Sequence, residues 1–403
     1  MAGAWEIVRR HGQDPAKFAA ALRDFHVETP SWGYGNAGTR FQVFAHPGAA
    51  RNIFEKLADA AQVHRLTGIC PTVAVHIPWD KVEDYSALHA EAEKLGVKIG
   101  AVNPNLFQEP EYMLGSLCHA GRAVRRKAAD HLLECVRIAR EVGSPAISLW
   151  LADGTNYPGQ GHFRRRRQWL AEALEEVYAA MPEGMRLLIE YKPSEPGFYH
   201  TDIADWGSAY VLAAHLGPRA QVLVDLGHHP QGVNVEHIVA TLLGEGRLGG
   251  FHFNDRKYAD DDLIAGSSNP YQLFLIFNEL VDAAQDADPA VAACAAGVAY
   301  MVDQSHNIEP KIPAMIRSVL NIQTALAKAL LVDRQALAAA QDRGDVLAAE
   351  AMVRDAFETD VRPLLAQFRA EQGLPEDPLA AYYASDYPRR IATERGTGGK
   401  GWA

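Results

Sequence analysis

Four short apolar runs in the second half of the sequence end in residues that bind metals or move protons. "RLLIEYK" ends with Glu190 and Lys192, and "AQVLVD" with Asp225, followed by His228. "GGFHFND" carries His252, with Asp260 and Asp262 just beyond, and "GVAYMVD" ends at Asp303. Carboxylates gathered in one place repel one another, and their pKa values rise unless cations neutralise them. Bound divalent metal resolves that conflict. Oxygen and imidazole donors without a thiolate suit Mn²⁺, Mg²⁺, Co²⁺ or Zn²⁺, and the surplus of carboxylates fits two ions sharing a bridging group.

Spacing refines the set. Asp225 and His228, as D-x-x-H at a turning strand end, can reach one ion together. Asp260 and Asp262, as D-x-D, point to one side of an extended segment, with Asp261 facing away. Each element also has a plainer reading: a capping turn for D-x-x-H, a solvated turn for "DDD", a hydrogen-bonded core imidazole for His252. Their joint occurrence on four successive runs favours the metal reading.

Earlier runs add further candidates. Lys192 lies two residues past Glu190, on the same strand face, where its ammonium could polarise a substrate oxygen. His76 ends "TVAVHI" and could move a proton or hold a hydroxyl, with a structural histidine as the alternative. Trp32 and Trp150 could form an apolar wall against a sugar ring, with core packing as the alternative.

These residues need elements that bring them together. Eight strand-like runs recur, at 26–32, 72–77, 97–103, 146–152, 186–192, 220–225, 249–255 and 297–303. Between them lie helical patterns such as "AARNIFEKLADAAQVHRLTG" and "YSALHAEAEKLG", several closed by a glycine suited to a left-handed C-cap. This alternation predicts an α/β fold, a (β/α)8 TIM barrel whose strand ends converge on one mouth, with an open doubly wound sheet as the alternative closure. After Asn307 the pattern changes to alanine- and leucine-rich helices at 312–331, 334–341 and 346–371. The expected division is a catalytic barrel over 1–310 and a C-terminal helical extension over 311–403, packing on the barrel or on a neighbouring subunit. Its apolar positions favour a homo-oligomer.

Composition narrows the function classes. With 39 basic and 50 acidic residues, the net charge of −11 opposes a nucleic-acid partner. Cys70, Cys118, Cys135 and Cys294 show no CxxC spacing, so neither a zinc ribbon nor a disulfide framework is indicated. No glycine-rich GxGxxG or GxxxxGK[ST] follows a strand. The basic runs Arg122–Arg126 and Arg164–Arg167 lie near helix starts and read as solvated faces. With no leader pattern and no apolar run of about 18 residues, the expectation is a cytoplasmic protein with no membrane partner.

Taken together, "IEYK" (189–192), "DLGHH" (225–229), "HFNDRKYADDDL" (252–263) and "VDQSHN" (302–307) resemble the metal site of bacterial L-rhamnose isomerases. "VAVHIPWDK", "WLADGTNYPGQ" and "ETPSWGYGNAGTRF" extend the resemblance over about Glu28 to Asn307. A more distant likeness is to xylose isomerases. The resemblance implies two divalent cations per subunit, Mn²⁺ first among them. Glu190, Asp225, His252 and Asp303 would hold a structural ion; Asp225, as bridge, would share a catalytic ion with His228, Asp260 and Asp262. Ser305 would orient a water beside Asp303, and His76 would act in ring opening. A homotetramer is implied as well. An aspartate bridge at 225 and a histidine at 252 depart from the xylose isomerase pattern and fit the rhamnose isomerase branch.

The expected activity is interconversion of L-rhamnose and L-rhamnulose, extending to D-allose and D-allulose, by hydrogen transfer between C1 and C2. A ketose 3-epimerase of the same barrel group is the alternative. Epimerases of that group generally use one metal and a pair of glutamates, so the second donor set, His228 with Asp260 and Asp262, speaks against it. A metal-dependent nuclease would want a basic groove, which the charge disfavours.

Overall fold

In the computed structural model, residues 3–36, 43–194, 200–257, 259–305 and 307–397 are described. Tyr258 and His306, which belong to two of the motifs above, lie outside that set, as do residues 37–41 of a third.

Eight parallel strands form one sheet in sequence order: β1 (Thr29–Pro30), β2 (Thr72–Ile77), β3 (Lys98–Pro104), β4 (Ala146–Leu149), β5 (Arg186–Glu190), β6 (Ala220–Asp225), β7 (Leu248–Phe253) and β8 (Ala299–Val302). A single bridge between Glu28 and Met301 joins the outermost strands. There the Glu28 N–H donates to Tyr300 O and the Val302 N–H donates to Glu28 O. The sheet is therefore a barrel, and helices surround it as the sequence predicts.

Several strands stop earlier than their apolar runs. The first run, expected over 26–32, gives only two strand residues, because Pro30 has no N–H to continue a ladder and 31–34 coil into a 3₁₀ turn. Trp150, Lys192 and Asp303 each fall one or two residues past a strand end. They line the mouth and not the wall.

Helix boundaries follow local chemistry. Helix Ile53–Thr67 begins at Asn52, whose side chain accepts from the Glu55 N–H, and ends at Gly68 in the left-handed region at φ 76°. The pattern expected as one helix over 346–371 is two helices, Val346–Glu358 and Arg362–Glu371. Pro363 explains the break, since its ring is tolerated only in a helix's first turn.

Helix Lys311–Ala329 follows β8 and packs between helices Ile53–Thr67 and Pro270–Ala283, completing the ring around the barrel. The remaining C-terminal helices share the barrel's hydrophobic core. Their last one, Tyr387–Arg395, is fixed by Arg395, which donates to buried Asp59 at 2.7 Å, and by the Tyr387 hydroxyl, also 2.7 Å from Asp59. Among the described residues no single helix is long and apolar enough to cross a membrane.

Inside the barrel a small apolar layer contains Ala74, Ala101, Ala146, Leu188, Leu223 and Met301. Strand side chains alternate with period two, so residues two positions on from this layer share its inward face. They are His76, Asn103, Ser148, Glu190, Asp225 and Asp303. Cross-strand register pairs Asp225 with His252, and His252 with Met301. The barrel thus raises one ring of polar side chains directly above its apolar plug.

Candidate metal centre

Two groups of donor atoms form at this level, each with its atoms within 4.8 Å of one another. One is Glu190, Asp225, His252 and Asp303; the other is Asp225, His228 and Asp260. Asp225 belongs to both.

In the first group His252 Nδ1 lies 3.2 Å from Glu190 Oε2, 3.6 Å from Asp303 Oδ2 and 3.9 Å from Asp225 Oδ2. It is buried and makes no hydrogen bond of ordinary geometry among the described residues. Donor atoms around an octahedral ion at ~2.1 Å stand about 3.0 to 4.2 Å apart, the range seen here. An imidazole nitrogen aimed among three carboxylate oxygens fits a site for a cation.

The second group is oriented from behind. His228 Nδ1 lies 3.1 Å from the Tyr191 carbonyl; as the donor there it leaves Nε2 facing Asp260 Oδ2 at 3.5 Å and Asp225 Oδ1 at 4.0 Å. Asp260 sits on a loop whose base is pinned by an antiparallel bridge between Asp255 and Leu263. The Asp255 carboxylate in turn accepts from the Ser268 and Asn269 N–H groups at 2.7 and 2.9 Å. This loop is not the extended segment expected from D-x-D. Asp262 has a left-handed φ of 48°, which turns its carboxylate out of the alternation, and it lies outside the 4.8 Å group. It still feels Asp260, Asp303 and Asp225. Asp261 faces elsewhere, accepting from the Lys257 N–H at 2.7 Å.

The electrostatics describe a centre short of positive charge. Burial, with repulsion from Glu190, Asp260 and Asp303, pushes Asp225 up to about 7 despite the attraction of His228. Burial raises Asp303 and raises Asp262 well above the carboxylate range. For Glu190 burial acts upward, but His252 and His228 outweigh it and hold the carboxyl at about 2. Burial acts downward on both imidazoles, yet Glu190, Asp303 and Asp225 carry His252 to about 9, while Asp225 and Asp260 raise His228 well above its usual value. Asp260 is lowered against its burial by His228 and Lys192. Protons on histidine stand in the role that divalent ions would take.

Neighbouring residues absent from the sequence reading shape the centre. Asn254 Nδ2 forks onto both Asp225 oxygens at 3.0 and 3.1 Å, and the Gly227 N–H donates to Asp225 Oδ1 at 2.6 Å. Gly227 is needed: a Cβ there would stand 2.6 Å from Asp260 Oδ1. Asn254 was legible in principle, two residues past His252. His229, the second histidine of "DLGHH", turns away to the Tyr191 hydroxyl at 2.6 Å.

Around the centre lies an aromatic mouth. His76 stacks on Trp79 at 3.7 Å and meets Trp32 and Phe107 edge-on, and Phe107 meets Trp150 at 4.8 Å. Trp79 and Phe107 thus join the two tryptophans singled out from sequence. Burial, with Lys56 and His131 nearby, keeps His76 neutral. Its Nδ1 and the Trp150 indole nitrogen are buried without partners among the described residues. Lys192 Nζ pairs with Asp260 Oδ2 at 2.8 Å and lies 5.1 Å from the Trp150 ring centre. Ser305 is buried just past Asp303. The Trp32 indole donates to Asp303 Oδ1 at 2.8 Å.

Outside the mouth, Cys118, Asp153 and Asp202 also cluster. Arg166 already supplies the cation there, 2.6 Å from Asp202. This corrects the reading of Arg164–Arg167 as a solvated face: Arg164 and Arg165 are exposed, but Arg166 is buried, because it lies on the same helix stripe as buried Leu170, Leu174 and Val177.

Residues 70–274 match the family described as "Xylose isomerase-like TIM barrel". The chain is 47% identical over 395 residues to a "probable sugar isomerase" of Rhizobium meliloti, covering 96% of this chain and 90% of the relative. A protein of the same description from Mesorhizobium japonicum is 45% identical over 407 residues, covering 98% and 92%. The solved structure of an L-ribulose 3-epimerase shares the fold, with a TM-score of 0.55 at 16% identity, over 77% of this chain and 98% of the other. The chain belongs to the xylose-isomerase-like TIM barrel family.

Proposed function

We propose that this protein is a metal-dependent aldose–ketose isomerase that interconverts L-rhamnose and L-rhamnulose, and also D-allose and D-allulose, by a hydride shift between C1 and C2. The observation that carries the reading is the pair of donor groups joined at Asp225. Glu190, Asp225, His252 and Asp303 would hold one ion; Asp225, His228 and Asp260, with Asp262 alongside, would hold the other. Mn²⁺ suits this mixture of carboxylate and imidazole. When bound, two such ions supply Lewis-acid charge to adjacent sugar oxygens, where alkoxide character grows as hydrogen moves.

The protein's own groups do the rest. Lys192, held by Asp260 at 2.8 Å, is placed to donate to a sugar oxygen at the same edge. His76, neutral and with a free Nδ1, can accept a hydroxyl proton as a ring sugar opens. Ser305, buried just past Asp303, would orient a water beside it. Trp32, Trp79, Phe107 and Trp150 give an apolar wall that excludes water and suits the methyl end of a 6-deoxy sugar. Support for the sugar class comes from the two rhizobial relatives, each described as a probable sugar isomerase.

The substrate claim is tested with L-rhamnose and L-mannose, which differ only in the oxygen at C6. The ring faces of Trp32, Trp79, Phe107 and Trp150 offer C6 an apolar surface, which should favour L-rhamnose in kcat/KM by about 10- to 100-fold. Equal turnover, or preference for L-mannose, would assign the site to another aldose.

A further inference from the structure

Between the ends of β1 and β2 lies a buried ion pair, Lys56 with Asp80, that belongs to neither donor group. Asp80, with its carboxylate out of contact with solvent, uses both oxygens. Oδ1 accepts from Lys56 Nζ at 2.6 Å; Oδ2 accepts from the Ser31 hydroxyl and from the His76 N–H, the latter at 2.9 Å. Lys56 comes from helix Ile53–Thr67, Ser31 from the turn after β1, and His76 from the end of β2. One carboxylate therefore ties three segments together.

Burying such a pair is costly, so its place calls for a consequence beyond packing. Ser31 is followed by Trp32, whose indole N–H holds Asp303 Oδ1. With that oxygen held, Asp303 Oδ2 is the one that turns toward His252, 3.6 Å away. The His76 ring meets the same indole edge-on at 5.6 Å. The geometry points to Asp80, with Lys56 and Ser31, as a positioning unit. It fixes the turn carrying Trp32, and through the indole it sets the Asp303 carboxylate toward Glu190, Asp225 and His252. The consequence for ion affinity rests on the metal reading above; the link to the indole does not.

The test is a cycle of Ser31→Ala, Trp32→Phe and the double variant in the full chain. Chelator competition reads Mn²⁺ affinity, and ¹⁵N NMR of the metal-free protein reads exchange of the Trp32 indole N–H, assigned by its loss in Trp32→Phe. Loss of a partner that orients a ligand typically weakens a metal by about 10- to 100-fold. Ser31→Ala should weaken Mn²⁺ by about tenfold and speed indole exchange. In the Trp32→Phe background the same change should have no further effect on Mn²⁺, because its route is gone. Affinity losses that multiply in the double variant, or an unchanged indole in Ser31→Ala, would overturn the proposal. If the unaltered protein takes up no Mn²⁺, the metal reading fails, while indole exchange still decides whether Ser31 restrains Trp32.

Discussion

Asp225→Asn should abolish ion binding and yet stabilise the metal-free fold at alkaline pH. The carboxyl is fully buried, and burial with three neighbouring carboxylates moves it from 3.8 to about 7. Below about pH 4 folded and unfolded chains both hold the proton. Between 4 and 7 only the folded chain does, so stability falls as pH rises, and above 7 the whole cost is present. At about 1.4 kcal/mol per pH unit, the upper bound is about 4 kcal/mol. Asparagine keeps an oxygen for the Gly227 N–H but turns an amide toward Asn254. The weakened fork returns about 1 to 2 kcal/mol of that gain. The net expectation is a metal-free variant about 1–3 kcal/mol more stable than wild type at pH 8.5, with little or no advantage at pH 5, measured by urea unfolding after chelation. Calorimetric titration with Mn²⁺ should show neither ion, since both donor groups use this residue. A variant that is less stable at pH 8.5, or that retains two ions, would refute the reasoning.

Three further outcomes follow from the same geometry. Ion uptake at pH 7 should release protons, because His252 at about 9 and His228, raised well above its usual value, must lose theirs to become ligands; affinity should rise from pH 6 to 9, with calorimetry in buffers of different ionisation enthalpy as the check. Lys192→Met should lower kcat by about 10²- to 10⁴-fold while two ions still bind, separating its role from that of the ligands. Arg395→Met leaves Asp59 buried without its cation and should cost about 3–5 kcal/mol in urea unfolding, with little change in Mn²⁺ affinity.

The barrel and the donor groups were legible in sequence for one reason. Parallel strands buried on both faces read as continuous apolar runs, so a Glu190 or Asp225 at such an end stands out. The two groups of atoms in the structure contain every expected ligand except Asp262. What the pattern could not supply was backbone conformation inside a loop, where a left-handed residue breaks the alternation that D-x-D assumes. Nor could it supply the supporting contacts of Asp80 and Tyr191, whose partners Lys56, Ser31 and His228 come from distant segments of the chain. Arg166 was misread for a related cause: a run of four arginines looks uniform until a helix turns one of them toward Asp202. Pro30 and Pro363 did mark real breaks, but apolar patterning on either side masked them.

The central claim is that a two-ion centre built on Asp225 turns an aldose into a ketose. Its most direct test is sugar interconversion by chelator-stripped protein with L-rhamnose, D-allose and D-xylose, before and after Mn²⁺ is restored. The account predicts no ketose from stripped protein, and L-rhamnulose foremost once the ion returns. Restored Mn²⁺ with no ketose from any of the three aldoses would contradict it, and epimerisation of D-fructose or D-allulose at C3 under the same conditions would assign the centre to a ketose 3-epimerase.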